Sequence, residues 1–346
     1  MSDKPVRVMI VDDSSYMRFV LGRILSEDPG IEVAGAARDG MDALQLMHEL
    51  EPDVITLDIE MPRLDGYETL RRIMRTRPTP VIMVSNYSEQ GDNATIRALE
   101  LGAVDFVRKP DKRESLTMAS VKDELIAKIK IAASVNPDAN PAANGAPASA
   151  VLCSKPAPAV EMKKLVVIAC STGGPKALAR ILPSLPGDMP AGIIIVQHMP
   201  AGFTASLAGR LDLLSKVRVT EAKEGEQLCA GHAFVAPGNF HLRIRPGGRL
   251  HLSSAPNVNN VRPAADVTMK DAAEIYKGKV IGVVLTGMGL DGAAGGAAIR
   301  AAGGVTIAQH KSTCIVDGMP AALIDSGNAD YIVPLSRIVR EILDLV

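Results

Sequence analysis

Three side chains in the second half of the chain have the types that base-activated acyl transfer needs: Ser171, His198 and Asp291. A serine hydroxyl is a weak nucleophile until an imidazole takes its proton. The imidazole in turn needs a carboxylate to fix its tautomer and stabilise the imidazolium. Ser171 opens Ser171-Thr172-Gly173-Gly174, which separates the apolar run Leu165-Val166-Val167-Ile168-Ala169-Cys170 from the helical pattern Pro175–Leu182. The hydroxyl therefore falls at a strand-to-helix turn, beside the N–H groups of a helix start, where negative charge is stabilised. His198 follows the run Ile193-Ile194-Ile195-Val196-Gln197, and Asp291 lies in the glycine-rich turn Leu285–Gly292 after the run Val280–Leu285. Three strand ends then deliver hydroxyl, imidazole and carboxylate to one edge of a parallel sheet. Simpler roles compete. Asp291 before Gly292 could be an N-cap, and Ser171 could cap the helix that follows it. Cys170 is the stronger intrinsic nucleophile, but as the neighbour of Ser171 on the strand it should point into the core. The Ser-Thr-Gly-Gly turn has neither the GxGxxG spacing nor a Walker lysine. Ala169 breaks the G-x-S-x-G elbow, and the order Ser, His, Asp is not that of the α/β-hydrolases.

The first half carries a different set. Asp12 and Asp13 end the first apolar strand, Asp58 the third and Ser85 the fourth, while Lys109 follows the fifth. In a five-stranded parallel sheet the carboxyl ends of strands one and three are neighbours, so three carboxylates converge and call for a cation. Oxygen-only ligands of this kind suit Mg²⁺. A charge-neutralised Asp58 could attack a phosphoryl group and form an acyl phosphate, with Ser85 and Lys109 binding the phosphoryl oxygens.

The elements that must position these groups alternate throughout. Strands are predicted at Val6–Val11, Ile31–Ala36, Val54–Leu57, Val81–Val84 and Asp105–Val107. Helices are predicted at Ser14–Ser26, Gly40–Leu50, Gly66–Arg75, Asn93–Leu101 and Glu114–Ala133. Five βα units make an α/β domain with a doubly wound parallel sheet, whose ligands bind at the carboxyl ends of the strands. From residue 135 to 162 the pattern dissolves into Ala, Pro and Asn, with too little large apolar side chain to offset ordering the backbone. The reading is a first α/β domain at 1–134, a linker at 135–162 and a second α/β domain with a mostly parallel sheet at 163–346. In that second domain strands are predicted at Leu165–Ala169, Gly192–Gln197, Ala233–Ala236, Val280–Leu285, Val305–Ala308 and Tyr331–Val333, with a hairpin over Phe240–Arg245 and Arg249–Ser253. Helices are predicted at Pro175–Leu182, Phe203–Leu214, Ala265–Tyr276, Ala293–Ala302, Pro320–Ser326 and Leu335–Leu345.

Composition sets the outer limits. A length of 346 residues exceeds one ordinary core and favours two domains. Apolar runs are strand length, which argues against membrane insertion, and the N-terminus has no signal-peptide h-region. Cys153, Cys170, Cys229 and Cys314 show no metal-ligand spacing and read as reduced thiols of a cytoplasmic protein. The net charge of −1 excludes a strongly basic nucleic-acid binder. Residues 1–134 carry a net −5 and residues 163–346 a net +5, which reflects either chance plus an acidic site in the first half, or halves that face each other or a second half that meets an acidic partner.

Two resemblances follow. Residues 5–132 resemble the response-regulator receiver domain through Val11-Asp12-Asp13-Ser14, Leu57-Asp58-Ile59-Glu60-Met61-Pro62, Asp65-Gly66, Ser85 and Lys109-Pro110. That resemblance implies phosphorylation of Asp58 by a histidine kinase, Mg²⁺ bound by Asp13, Asp58 and a nearby backbone carbonyl in the pocket that Asp12 shares, and Phe106 as the switch aromatic. Residues 163–346 resemble the catalytic domain of the chemotaxis protein-glutamate methylesterases. The motifs are Ser171–Pro175, Gln197-His198-Met199-Pro200, Ala236-Pro237-Gly238, Arg262-Pro263, Leu285-Thr286-Gly287-Met288-Gly289, Asp291-Gly292-Ala293 and Asp317-Gly318-Met319-Pro320. The resemblance implies that Ser171 is the nucleophile, His198 the base and Asp291 its orienting carboxylate. Thr172 and the Met288 N–H fall where the family places active-site hydrogen-bond donors. The implied substrate is a glutamyl methyl ester on a methyl-accepting chemoreceptor, with receptor glutamine as a possible second one. No cofactor is implied for the esterase domain. The family also implies that an unphosphorylated receiver inhibits the esterase. Cys170, Ala264 and His310 depart from the family's common residues and touch none of the three catalytic positions. Two alternatives are a phosphorylation-dependent transcriptional regulator and a binding module without esterase activity. The first lacks a helix-turn-helix signal and the second leaves Ser171, His198 and Asp291 unused.

Overall fold

β-Branched and other apolar residues fill the strands and glycine, proline or acidic residues end them, so the chain folds as repeated βα units. The computed structural model describes residues 4–85, 89–109, 118–135 and 160–346. The chain divides into two compact units, Met1–Ala146 and Pro147–Val346. Most of the predicted linker, residues 136–159, lies outside the described residues, as does Cys153. Among the described residues no helix is long and apolar enough to cross a membrane.

The first unit has strands β1 (Val6–Val11), β2 (Ile31–Ala37), β3 (Val54–Asp58), β4 (Val81–Ser85) and β5 (Asp105–Arg108). They pair in the order β2-β1-β3-β4-β5, all parallel. Helices α1 (Ser15–Ser26), α2 (Gly40–Leu50), α3 (Gly66–Thr76), α4 (Glu89–Leu101) and α5 (Met118–Ser134) connect them. Ser14, Asp39 and Asp65 cap the first three through side-chain oxygens, which explains the sharp starts after polar residues. β3 is buried along its whole length, as a central parallel strand must be, and it carries Asp58 at its carboxyl end.

The second unit has a seven-stranded parallel sheet. Its strands are β6 (Lys164–Cys170), β7 (Ala191–Gln197), β8 (Arg218–Glu221), β9 (His232–Val235), β12 (Val280–Val284), β13 (Val305–Gln309) and β14 (Tyr331–Val333). The spatial order is β14-β13-β12-β6-β7-β9-β8. A separate antiparallel hairpin, β10 (His241–Arg245) and β11 (Arg249–Ser253), follows β9. The helices are α6 (Gly174–Ile181), α7 (Phe203–Leu214), α8 (Ala265–Tyr276), α9 (Ala293–Ala301), α10 (Gly318–Asp325) and α11 (Leu335–Leu345). β6 is flanked by β7 on one side and β12 on the other, and the chain winds away from it in both directions. Such a reversal opens a crevice at the carboxyl ends of the strands. Alternate residues of β6 face opposite ways. Leu165, Val167 and Ala169 join Met269 and Ala273 of α8 in one core. Cys170 has the opposite parity on the strand and is fully buried.

β8 was not predicted. Its four residues include one valine among Arg218, Thr220 and Glu221, and it lies at the sheet edge, where short charged strands block further pairing. α4 starts at Glu89 and α10 at Gly318, each earlier than the apolar pattern suggests, because first turns are polar and carry no periodicity.

Candidate functional site

Ser171 is the first residue beyond β6, and two backbone bonds fix it. Its N–H donates to Thr286 O at 3.1 Å, and its carbonyl accepts from Gly174 N at 2.8 Å. The Gln197 amide adds a third, from Nε2 to Ser171 O at 3.0 Å. The helix that follows starts at Gly174, one residue before the predicted Pro175. Its N-cap is Gly173 at φ +81°, with no side-chain cap. Ser171 therefore does not cap α6. Its Oγ makes no hydrogen bond among the described residues. Gly287 packs directly on it: a Cβ there would lie 2.8 Å from Ser171 Cβ. This close approach, together with that of Met319 Sδ, leaves no room for a side chain in the turn after β12. Met288 follows, half-buried, and its N–H donates no hydrogen bond among the described residues. Thr172 is buried, and its carbonyl accepts from Thr286 Oγ1 at 3.0 Å.

His198 leaves β7 with its N–H on Cys170 O at 3.0 Å, so the imidazole and the serine start from adjacent strand ends. His198 Nε2 lies 2.7 Å from Asp291 Oδ2. Asp291 is 1% exposed and is not the N-cap of α9, a position Gly292 holds. Its carboxylate instead accepts Ala265 N at 2.6 Å and Asp266 N at 3.0 Å, the first two N–H groups of α8, and the Asn259 amide at 3.0 Å. Burial alone would raise its pKa. The His198 contact and the two helix N–H donors outweigh burial and hold the carboxyl below its ordinary value. Burial drives the Cys170 thiol far above its ordinary value, so it is inert beside the serine.

The predicted residues of the first unit also meet. Lys109 Nζ lies 2.7 Å from Asp58 Oδ2 and 2.8 Å from Asp12 Oδ2, and all three side chains are buried. Burial pushes the Asp58 carboxyl up to about 6, against the opposing pull of Lys109 and with a further push from Asp12. Burial works against the Lys109 charge, but its two carboxylate partners win and raise its pKa. One oxygen each of Asp12, Asp13 and Asp58 lie within 4.8 Å of one another. Asp13 is exposed, giving the cluster an open side. Asp12 Oδ2 is close to Lys109 but has no aligned hydrogen bond, leaving a buried lone pair in need of a ligand. Three hard oxygen donors of this kind fit Mg²⁺. Ser85 ends β4, and its side chain lies outside the described residues. Phe106 is 3% exposed and carries Lys128 over its ring, with Nζ 5.3 Å from the centroid.

Asn259 and Asp266 escaped the sequence reading, and Gln197 entered it only as part of a motif, with no role. An asparagine in a loop and an aspartate in a first helical turn have ordinary local roles, and only the fold brings them to Asp291.

A serine turn, an imidazole and a buried carboxylate at one edge of a parallel α/β sheet, preceded by a βα domain with an acidic pocket, define a receiver-linked hydrolase architecture. The comparisons agree. The family model for CheB methylesterase matches residues 166–342, and that for the response regulator receiver domain matches residues 8–120. The chain belongs to the CheB methylesterase family. It is 50% identical over 358 residues to a protein-glutamate methylesterase/protein-glutamine glutaminase of Symbiobacterium thermophilum, covering 98% of this chain and 97% of that one. It is 47% identical over 349 residues to the protein of the same description from Thermotoga maritima, covering 100% of both. The crystal structure of the Thermotoga maritima CheB methylesterase catalytic domain matches with a TM-score of 0.52 and 49% identity, covering 53% of this chain and 98% of that one.

Proposed function

We propose that this chain is a phosphorylation-activated protein-glutamate methylesterase that demethylates chemoreceptors in the cytoplasm, with glutaminase activity at the same residues. Residues 1–134 are the receiver, 135–162 the tether and 163–346 the esterase. The observation that supports the reading best is the 2.7 Å contact of His198 Nε2 with Asp291 Oδ2 at the sheet edge that carries Ser171.

The chemistry follows from that contact. Asp291 is held in its ionised form and has no proton to give, so Nε2 carries the hydrogen and Nδ1 keeps the lone pair. As Ser171 Oγ bonds to the ester carbonyl carbon, its proton passes to Nδ1. The Met288 N–H and Thr172 stabilise the oxyanion. The imidazolium returns the proton to the departing methoxide oxygen, and methanol leaves. Water then gives a proton to Nδ1 as it attacks the acyl carbon, and the serine departs with that proton to leave a glutamate. With a glutamine substrate the same proton goes to nitrogen and ammonia leaves.

In the receiver, an Asp58 oxygen attacks the phosphorus of a kinase phosphohistidine and the imidazole departs. Asp12, Asp13 and Asp58 would hold Mg²⁺. The ion, when bound, neutralises the clustered carboxylates and the phosphoryl oxygens. Lys109 pairs with one phosphoryl oxygen, the Ser85 hydroxyl donates to another, and Phe106 responds as the switch.

The direct test is methanol release from methylated receptor membranes, with and without a small-molecule phosphodonor. Release that phosphodonor accelerates and Ser171→Ala abolishes is expected. No release from methylated receptors would overturn the reading.

A further inference from the structure

Two buried carboxylates of the second unit are cross-wired. Asp291, just before α9, accepts the first two N–H groups of α8. Asp266, in the first turn of α8, accepts Gly292 N at 2.9 Å and Gly295 N at 2.7 Å at the start of α9. Each carboxylate thus closes the other's helix, and both sit at positive helix ends. Held so closely, two anions repel one another. The Asn259 side chain joins them: Nδ2 donates to Asp266 Oδ2 at 2.9 Å and to Asp291 Oδ1 at 3.0 Å. Among the described residues it is the one side-chain donor that reaches both. Asn259 stands at φ +53°, a backbone conformation that asparagine and glycine tolerate best.

With Asn259 in place, Asp291 has four donors: two helix N–H groups, one amide and the His198 ring. That saturates its lone pairs and leaves a single orientation in which Oδ2 meets Nε2. We propose that Asn259 is a positioning residue for the hydrolysis, acting through Asp291. By bridging the Asp266 and Asp291 carboxylates it fixes the orientation of Asp291 and so holds His198 in the tautomer and angle that present Nδ1 to Ser171. The inference rests on the reading of Ser171, His198 and Asp291 as the catalytic set.

The titratable groups facing Asp291 are His198 from the end of β7 and Asp266 from α8. His241 of β10 lies close by, accepting Ala264 N through Nδ1 and bonding Pro256 O through Nε2. Without the bridging amide, the Asp291 carboxylate loses a hydrogen bond that favours its ionised form and takes up a proton more readily, and it becomes the stronger acceptor for His198. Both changes move the acid limb of the rate profile to higher pH.

The test uses the full chain and methylated receptor membranes. Asn259→Gly removes the amide and keeps the backbone conformation. Asn259→Asp keeps the shape and replaces the donor with a third carboxylate. For Asn259→Gly, kcat is expected to fall by about 10²-fold at neutral pH, as for other misplacements of a catalytic group. KM should change little, and the acid limb of kcat/KM should rise by on the order of one pH unit. Asn259→Asp should lose more than the glycine variant. Wild-type kcat and pH profile in both variants would overturn the proposal, as would a loss of rate with the acid limb unmoved, which marks a structural role alone. Asp291→Asn and Ser171→Ala are measured alongside. If those two stay active, the catalytic reading fails; if they are dead while both Asn259 variants behave as wild type, only the bridge fails.

Discussion

Lys109 Nζ sits 2.7 Å from Asp58 Oδ2, with both side chains almost wholly out of solvent. A buried ion pair of this kind adds little net stability, but removing one partner strands the other's charge. The lysine therefore lies against the oxygen edge of Asp58, and under the proposed function it would supply the positive charge that a phosphorylated Asp58 needs.

The first prediction tests that pocket. A small-molecule phosphodonor with Mg²⁺ should label one acid-stable, base-labile site, and chelation of Mg²⁺ should stop the labelling. Asp58→Asn should abolish it. Asp13→Asn, on the exposed side of the cluster, should raise the Mg²⁺ concentration required and leave the site of labelling unchanged. Phosphate that still appears in Asp58→Asn would move the acceptor to another carboxylate.

The second prediction separates chemistry from stability. Ser171→Ala and His198→Ala should each lower esterase turnover by about 10³-fold or more. The Ser171 variant should melt like the wild type, because its Oγ makes no hydrogen bond among the described residues. Asp291→Asn should lose turnover and stability together. Its carboxylate closes the start of α8, and an amide nitrogen would face a helix N–H, costing about 1–3 kcal/mol. Calorimetry and methanol release on the same samples decide this. Equal melting of all three variants would show that the cap carries no load.

The comparison of sequence with structure turns on the range over which each signal acts. The β6 and β7 ends were legible because an apolar run followed by Ser171 or by Gln197-His198 is a local pattern, and the fold places both runs side by side. The acidic pocket was legible for the same reason: each of Asp12, Asp58 and Lys109 ends its own strand. What local reading could not supply was direction. For Asp291, read as the carboxylate of the set, the competing local role was an N-cap for the helix after it, yet its oxygens point to the preceding helix, α8. Asn259 carries no periodic or motif signal, and its contact with two carboxylates exists only after the hairpin and α8 have packed. β8 was missed because an edge strand with one buried valine has almost no hydrophobic alternation to read.

The third prediction concerns the room around the serine. Gly287 is tied on both sides, by its N–H to Val316 O and by its carbonyl from Met319 N, each at 2.9 Å. The backbone therefore cannot retreat, and a methyl group there would meet the flexible end of Met319 and push against Ser171 Cβ and Ser171 N, 2.8 Å and 3.0 Å away. Gly287→Ala should leave a folded protein whose kcat is lower by about 10²-fold, since a small displacement of a catalytic atom costs that much. Wild-type turnover in this variant would mean that the serine position tolerates displacement.

The last prediction follows from His232, a buried histidine away from the serine turn. Its ring stacks on Phe234 with centroids 3.9 Å apart, and Nε2 lies 2.8 Å from Thr220 Oγ1. Burial pushes its pKa down to about 4, helped by the nearby Arg218 charge and opposed by Asp212. An unfolded histidine titrates near 6.5. The folded state thus binds fewer protons than the unfolded state between these values. The stability the neutral ring contributes is fully present above about pH 6.5 and is lost as pH falls toward 4, a swing on the order of 3 kcal/mol at most. His232→Gln keeps a hydrogen-bonding partner for Thr220 and cannot titrate, so it should flatten the acid dependence of the second unit's melting. Calorimetry of the full chain reads this from the transition that does not move with Mg²⁺. If wild type and variant lose stability in parallel between pH 7 and pH 4.5, the acid sensitivity of this unit has another source.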